Sequence, residues 1–224
     1  MKRMGLVGMV VAVVFGAGAV FAVAASAAPP EFLKKTKFTL EGLTAIFKGK
    51  GGTEMKCSTS KGEGEVVVEK TKVAKAVKLA FKGCKLALVG CKSTGAVAEE
   101  VVFKALEGEL GYIKPGVAGA EHVAFGFAPA VAGPIAEYTC GVEKFELKGC
   151  VAGEFSKAGV ETNTFSVGFE EMAGEQKILA FEKTLKGEER KCVMEDKLNG
   201  SVAELVGLET NLTMKTMEME KVLS

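Results

Sequence analysis

The chain has 224 residues, with 29 Lys and Arg against 28 Asp and Glu, and a single His. Losing Lys2 and Arg3 with an amino-terminal leader leaves 27 basic residues against 28 acidic ones, a balance without the electrostatic footprint of a nucleic-acid or anionic-membrane binder. Past that leader Arg190 is the only Arg, Asp196 the only Asp and His122 the only His, and Trp is absent, so bidentate clamps, most acid–base constellations and sugar-stacking platforms lack their usual residues.

Met1-Lys2-Arg3 opens the chain with positive charge, and residues 4–23 carry none. Ala25-Ser26-Ala27 then places small residues at −3 and −1 of a signal-peptidase site, so cleavage is expected between Ala27 and Ala28. A retained anchor is the competing reading, because an uncharged run of about 20 residues can span a bilayer. Gly5, Gly8, Gly16 and Gly18 weaken such a helix. Residues 1–27 are therefore read as a signal-peptide helix and 28–224 as one domain, secreted or held at the cell surface. Neither a lipid-modified Cys near the cleavage site nor an apolar tail at the carboxyl end offers a second anchor, so no membrane contact is expected after cleavage.

Residues 28–35 show no pattern and read as a lead-in. Strand signals follow one another from there. They cover 36–40 and 43–48, then 63–69 with the run Val66-Val67-Val68 after the Gly-rich turn at 49–52. Val77, Leu79 and Phe81 alternate with Lys78, Ala80 and Lys82, which sets the lysines on a wet face. Residues 101–106 and 109–113 flank Gly108; Val123, Phe125 and Phe127 point away from His122, Ala124 and Gly126. Phe145 and Leu147, then Phe165, Val167 and Phe169, repeat the alternation, and 176–182 holds one more short run. Leu212 and Met214 share a face with Met217 and Met219 only if the phase slips at Lys215-Thr216, so a bulge there is expected to keep all four on the core side. Helical spacing occurs only locally, at Val73, Ala76 and Val77 and over 203–208. Short strands with Gly between them predict an all-β fold, an antiparallel sandwich or barrel.

All six cysteines, Cys57, Cys84, Cys91, Cys140, Cys150 and Cys192, follow the leader. In an oxidising compartment an even count reads as three disulfides, with 15 pairings open. Close Cys pairs of the zinc kind are missing, so no metal is expected. An internal echo, Glu-Φ-x-Cys followed by Lys-Φ-x-Φ-Lys-Gly-Cys (Φ apolar), ends at Cys57 and Cys84 and again at Cys140 and Cys150. As a structural repeat it makes Cys57–Cys84 and Cys140–Cys150 equivalent bridges and leaves Cys91 with Cys192; chance likeness of strands ending in Gly is the other reading.

Few residues suggest chemistry. Glu107 and Glu109 share a strand face and are read as a solvated pair rather than an acid–base or calcium site. Gly90-Cys91-Lys92-Ser93 looks like a phosphate loop but lacks the upstream Gly spacing. His122, at the start of an apolar strand, reads as a structural or exposed residue rather than a base. Asn199-Gly200-Ser201 and Asn211-Leu212-Thr213 are glycosylation sequons, and Asn199-Gly200 is better read as a tight turn. No catalytic residue, cofactor or metal ligand is assigned.

Leu106-Glu107-Gly108-Glu109-Leu110-Gly111-Tyr112-Ile113 and Glu137-Tyr138-Thr139-Cys140-Gly141 resemble segments of a group of small exported actinobacterial proteins. So do Cys57 with Gly62-x-Gly64-Glu65, Phe81-Lys82-Gly83-Cys84, and Leu198-Asn199-Gly200 with Gly207-Leu208. The resemblance implies export and supplies no activity. Members of that group often lack thiols at the places of Cys150 and Cys192, which implies Cys150–Cys192 as an added bridge, with Cys57–Cys84 and Cys91–Cys140 as the others.

Function is thus expected to be that of a non-catalytic secreted or cell-surface β module with a cell-envelope or protein partner. A barrel binding an apolar small molecule and an extracellular hydrolase using Ser/Lys or Glu pairs are the alternatives.

Overall fold

A computed structural model describes residues 30–113, 122–182 and 188–223. The expected signal segment, including Ala27 and Ala28, lies outside the described residues. No α-helix occurs among the described residues. Twenty-two strands do.

In chain order the first are β1 (Glu31–Phe32), β2 (Thr36–Gly42), β3 (Ala45–Gly49), β4 (Glu54–Cys57), β5 (Thr59–Val66) and β6 (Val73–Lys82). Then come β7 (Lys85–Leu86), β8 (Val89–Ser93), β9 (Glu100–Val102), β10 (Leu106–Tyr112), β11 (Val123–Pro129) and β12 (Ala136–Cys140). The chain goes on through β13 (Glu143–Gly149), β14 (Val151–Phe155), β15 (Thr162–Phe169), β16 (Glu171–Met172) and β17 (Glu175–Gln176). It ends with β18 (Ala180–Glu182), β19 (Glu189–Lys191), β20 (Met194–Leu198), β21 (Glu204–Glu220) and β22 (Val222–Leu223).

The antiparallel pairings close on themselves. β2, β5, β6, β10, β11, β14, β15 and β21 form an eight-stranded barrel, since β21 returns to pair with β2. A second circuit of shorter strands also closes, through β3, β4, β7, β8, β12, β13, β20 and β21. Closure removes the exposed edges that an open sheet must protect.

The two rings share chain. In β21, Val206 to Glu209 pair with β3 of the second ring and Leu212 to Thr216 with β2 of the first. β2 and β3 keep one register against β5 and β4: Thr36 faces Val66, Gly42 faces Ser60, Ala45 faces Cys57 and Lys48 faces Glu54. β5 and β4 likewise keep register against β6 and β7, from Thr59 opposite Lys82 to Met55 opposite Leu86. Two disulfides lie where strands cross from ring to ring. Cys57–Cys84 sits beside the β6–β7 break, and Cys150–Cys192 holds the one residue between β13 and β14. The third, Cys91–Cys140, joins directly opposed residues of β8 and β12 inside the second ring. These are the bridges that the resemblance implies; the echo's alternative, Cys140 with Cys150, does not form.

Phenylalanine fills the first ring. Phe125 meets Phe32, Phe127 and Phe155 at 5.8, 4.6 and 6.0 Å between ring centres, and Phe155 stacks on Phe165 at 5.0 Å. Each such burial contributes about 1.5–3 kcal/mol. Gly108 lies within β10 rather than at a turn, and a Cβ there would come within 2.6 Å of the Phe125 ring. Phe47, Phe81 and Phe103 form a trio where the rings meet.

Four local expectations are corrected. Of the lead-in, the described residues 30–35 are part of the fold: Phe32 is fully buried, and the Glu220 carboxylate accepts hydrogen bonds from the N–H groups of Leu33, Lys34 and Lys221. The helical spacing around Ala76 is a β-bulge, with φ of 51° at Ala76 and register shifts on both neighbouring strands. An extra residue resets the strand period there. β21 does shift register against β15 between Lys215 and Glu220, yet Thr216 and Glu220 take the inward positions. Met217 and Met219 are left 78% and 47% exposed. Finally, the β10 face read as solvated at Glu107 and Glu109 is covered at Glu109. The β18–β19 hairpin covers it, and Phe181 packs on Gly126 so closely that a Cβ there would lie 2.6 Å from its ring.

Candidate functional site

Pairing directions put four hairpin turns at one end of the second ring: residues 50–53, 87–88, 141–142 and 199–203. Three of them present apolar side chains to solvent: Leu88, Val142 and Val202 are 93%, 94% and 87% exposed. Asn199-Gly200 makes the tight turn its sequence predicts, with φ of 51° and 76° and the Ser201 N–H bonded to the Leu198 carbonyl at 2.9 Å. Asn199 and Asn211, the sequon residues, are exposed.

Inside this rim opens a cavity of about 120 Å³, lined by Phe47, Met55, Leu86, Tyr138, Phe145, Leu198 and Val206 together with Asp196, Ser201 and Glu204. Liquid water takes about 30 Å³ per molecule, so the space equals roughly four waters. Pockets for drug-sized ligands run to about 300–1,000 Å³. A larger hollow of about 580 Å³ lies on the outer wall at the β2–β3 break, among Glu41, Leu43, Asn211 and Lys215. Its charged side chains are exposed, and its one buried polar side chain, Thr210, donates its hydroxyl to the Thr44 carbonyl at 3.0 Å.

The cavity's polar side is built from three strands. Tyr138 on β12 stacks on Phe145 of β13 with ring centres 5.1 Å apart, and its hydroxyl donates to Asp196 Oδ2 on β20 at 3.1 Å. Burial, then the Asp196 charge and this hydrogen bond, push the phenol well above its ordinary value. It stays a proton donor. Burial also raises Asp196, against the Tyr138 hydrogen bond and the Lys197 N–H, which lower it, while the Glu204 charge raises it further. Asp196 and Glu204 are direct cross-strand partners of β20 and β21. Like charges placed so are destabilising.

Asp196 Oδ1 is buried without a hydrogen-bond partner. The other such atoms among the described residues, Ser60 Oγ and the Gln176 amide, belong to neutral groups. The remaining buried carboxylates are satisfied. Glu109 pairs with Arg190 Nη1 and with Lys72 Nζ at 3.2 Å, which corrects its reading as a solvated residue; only Glu107 is exposed. Alternation placed both on one strand face, but the β18–β19 hairpin brings Arg190 over Glu109 alone.

Among the described residues the cavity brings no Ser together with a Lys or His. No Lys or His lines the cavity, and the Ser201 hydroxyl donates to the Val202 carbonyl at 3.2 Å. His122 lies at the start of β11 in the other ring, its carbonyl accepting the Ile113 N–H. Cys91 is in a disulfide, so the Gly90–Ser93 stretch is part of the stapled ring. Among the described residues no group of three or more His, Cys, Asp or Glu is placed to hold a metal ion. Residue reading missed the Tyr138–Asp196–Glu204 arrangement. Its one signal was that Asp196 is the only Asp in the chain.

Fold and site together define a disulfide-stapled, closed antiparallel barrel protein with a small acidic cavity at one end. Compared with protein-family models, with curated proteins and with solved structures, the chain matches none.

Proposed function

We propose that this protein is an exported, non-catalytic binding module whose recognition end is the mouth of the second ring. The observation that carries this reading is the convergence of four hairpin turns, three with a nearly fully exposed Leu or Val, around one polar-floored cavity. Isolated exposed apolar residues are ordinary, whereas a group of them rimming one site marks an interaction surface. Three disulfides suit an oxidising, extracellular-type compartment. The charge-free run after Lys2 and Arg3, with Ala27 and Ala28 at its exit, supports export from a bacterial cell. Against an apolar ligand inside the barrel stand the phenylalanines that fill the first ring and the small volume of the cavity in the second.

Hydrogen exchange of the mature, oxidised protein with isolated cell envelope tests the proposal. Protection is expected at residues 87–89, 141–142 and 198–203, and Leu88→Ser with Val142→Ser is expected to abolish it. Protection confined to the outer wall of the first ring refutes the reading. So does turnover of generic ester, peptide or glycoside substrates that Asp196→Asn removes.

A further inference from the structure

We infer that the cavity of the second ring takes the head of a primary ammonium group on an unbranched alkyl chain. The inference rests on the mouth being a recognition site and names what enters it. Two carboxylates, Asp196 and Glu204, face one another across β20 and β21 at the cavity wall. Neither has a cationic partner among the described residues, whereas Glu109 has two. Lys197, next along β20, is set opposite Glu146 of β13 and contributes to the field at that carboxylate.

The rest of the lining selects the kind of cation. Calcium takes six to eight oxygen ligands, and two carboxylates beside a phenol that is already donating its proton fall short of that. The apolar part of the wall, Phe47, Met55, Leu86 and Phe145, suits methylene groups. Aromatic faces attract a cation, and Phe47, Tyr138 and Phe145 all line the space. The carboxylates of Asp196 and Glu204 at this wall accept hydrogen bonds from an N–H donor, which a primary ammonium supplies and a quaternary ammonium does not. A volume of about 120 Å³ admits one short chain end and no more. Free alkylamines and lysine side chains share this chemistry.

Chemical-shift titration of the oxidised protein separates the outcomes. The probes are n-butylammonium, Nα-acetyl-lysine amide, 1-butanol and tetramethylammonium. Butylammonium, the lysine derivative or both are expected to shift the amides of residues 138, 196 and 204. Binding by the lysine derivative alone makes the source a protein side chain. Asp196→Asn is expected to weaken this binding tenfold or more, as loss of a charge-assisted hydrogen bond does. Glu204→Gln, at an exposed position, serves as a second variant. Equal binding of 1-butanol or of tetramethylammonium overturns the inference, as does no effect of either substitution. Envelope protection at the hairpin turns that persists while no ammonium binds removes the ligand assignment alone; loss of both removes the module reading as well.

Discussion

The two rings are closed by the same kind of pairing and partly by the same strands, yet they are filled in opposite ways. The first is packed through with phenylalanine, sealed at one end by Phe32 and the Glu220 carboxylate, and covered outside by the β18–β19 hairpin. The second is built of strands mostly two to seven residues long, keeps a cavity at its mouth and sets two carboxylates face to face beside it. Because β21 runs through both and the β2–β5 register carries on into β3 and β4, the packed ring fixes the geometry of the open one. Destabilising groups at a site are tolerated where stability is supplied elsewhere in the same structure.

The largest expected effect tests that division. Phe125→Ala removes the centre of three ring contacts in the packed ring and is expected to cost about 3–5 kcal/mol. Phe145→Ala, at a wall that already borders open space, is expected to cost no more than the low end of that range of about 3–5 kcal/mol. Urea denaturation of the two oxidised variants gives both values. Equal costs break the comparison.

A smaller effect is expected at the outer layer of the packed ring. Arg190→Met leaves Glu109 with Lys72 as its remaining ion-pair partner, at 3.2 Å. A loss of about 1–3 kcal/mol follows from uncovering part of a charged buried group. Thermal melts report the loss, and hydrogen exchange is expected to rise in β18 and β19 while the mouth is unchanged. Loosening of β12 and β20 as well means that the rings are not separable.

Much of the architecture was readable because alternation at the first ring's inward positions is strict. Leu79 and Phe81, Phe125 and Phe127, Phe165 and Val167 announce their strands from residue types alone. Where extra residues enter a strand, one at Ala76 and three between Lys215 and Glu220, the period breaks. Local spacing then gives the wrong face for Met217 and an apparent helix at Val73. The site was less legible still, since Asp196 and Glu204 become neighbours only through β20–β21 pairing, and Tyr138 reaches Asp196 through β13 between them. No spacing rule connects residues brought together by ring closure.

The smallest effect carries the opposite sign. Asp196→Asn keeps an acceptor for the Tyr138 hydroxyl but removes the charge that burial and Glu204 oppose. Gains on the order of 1 kcal/mol are usual when a functional site's unfavourable group is replaced. The pH dependence fixes the cause. An unfolded Asp titrates near about 3.9, whereas the folded Asp196 holds its proton to a higher pH. Between the two values the folded state binds more protons, so the wild type loses stability as pH rises through that window and stays at the lower level above it. Below the unfolded value the penalty is absent. Glu220, also raised by burial, adds a trend of the same sign in both proteins, so the difference between them isolates Asp196. Denaturation at pH 3 and pH 7 is therefore expected to show the variant's advantage at the higher pH only. A variant that is less stable than the wild type at pH 7 makes Asp196 a structural group, and the open ring loses its claim to be the site.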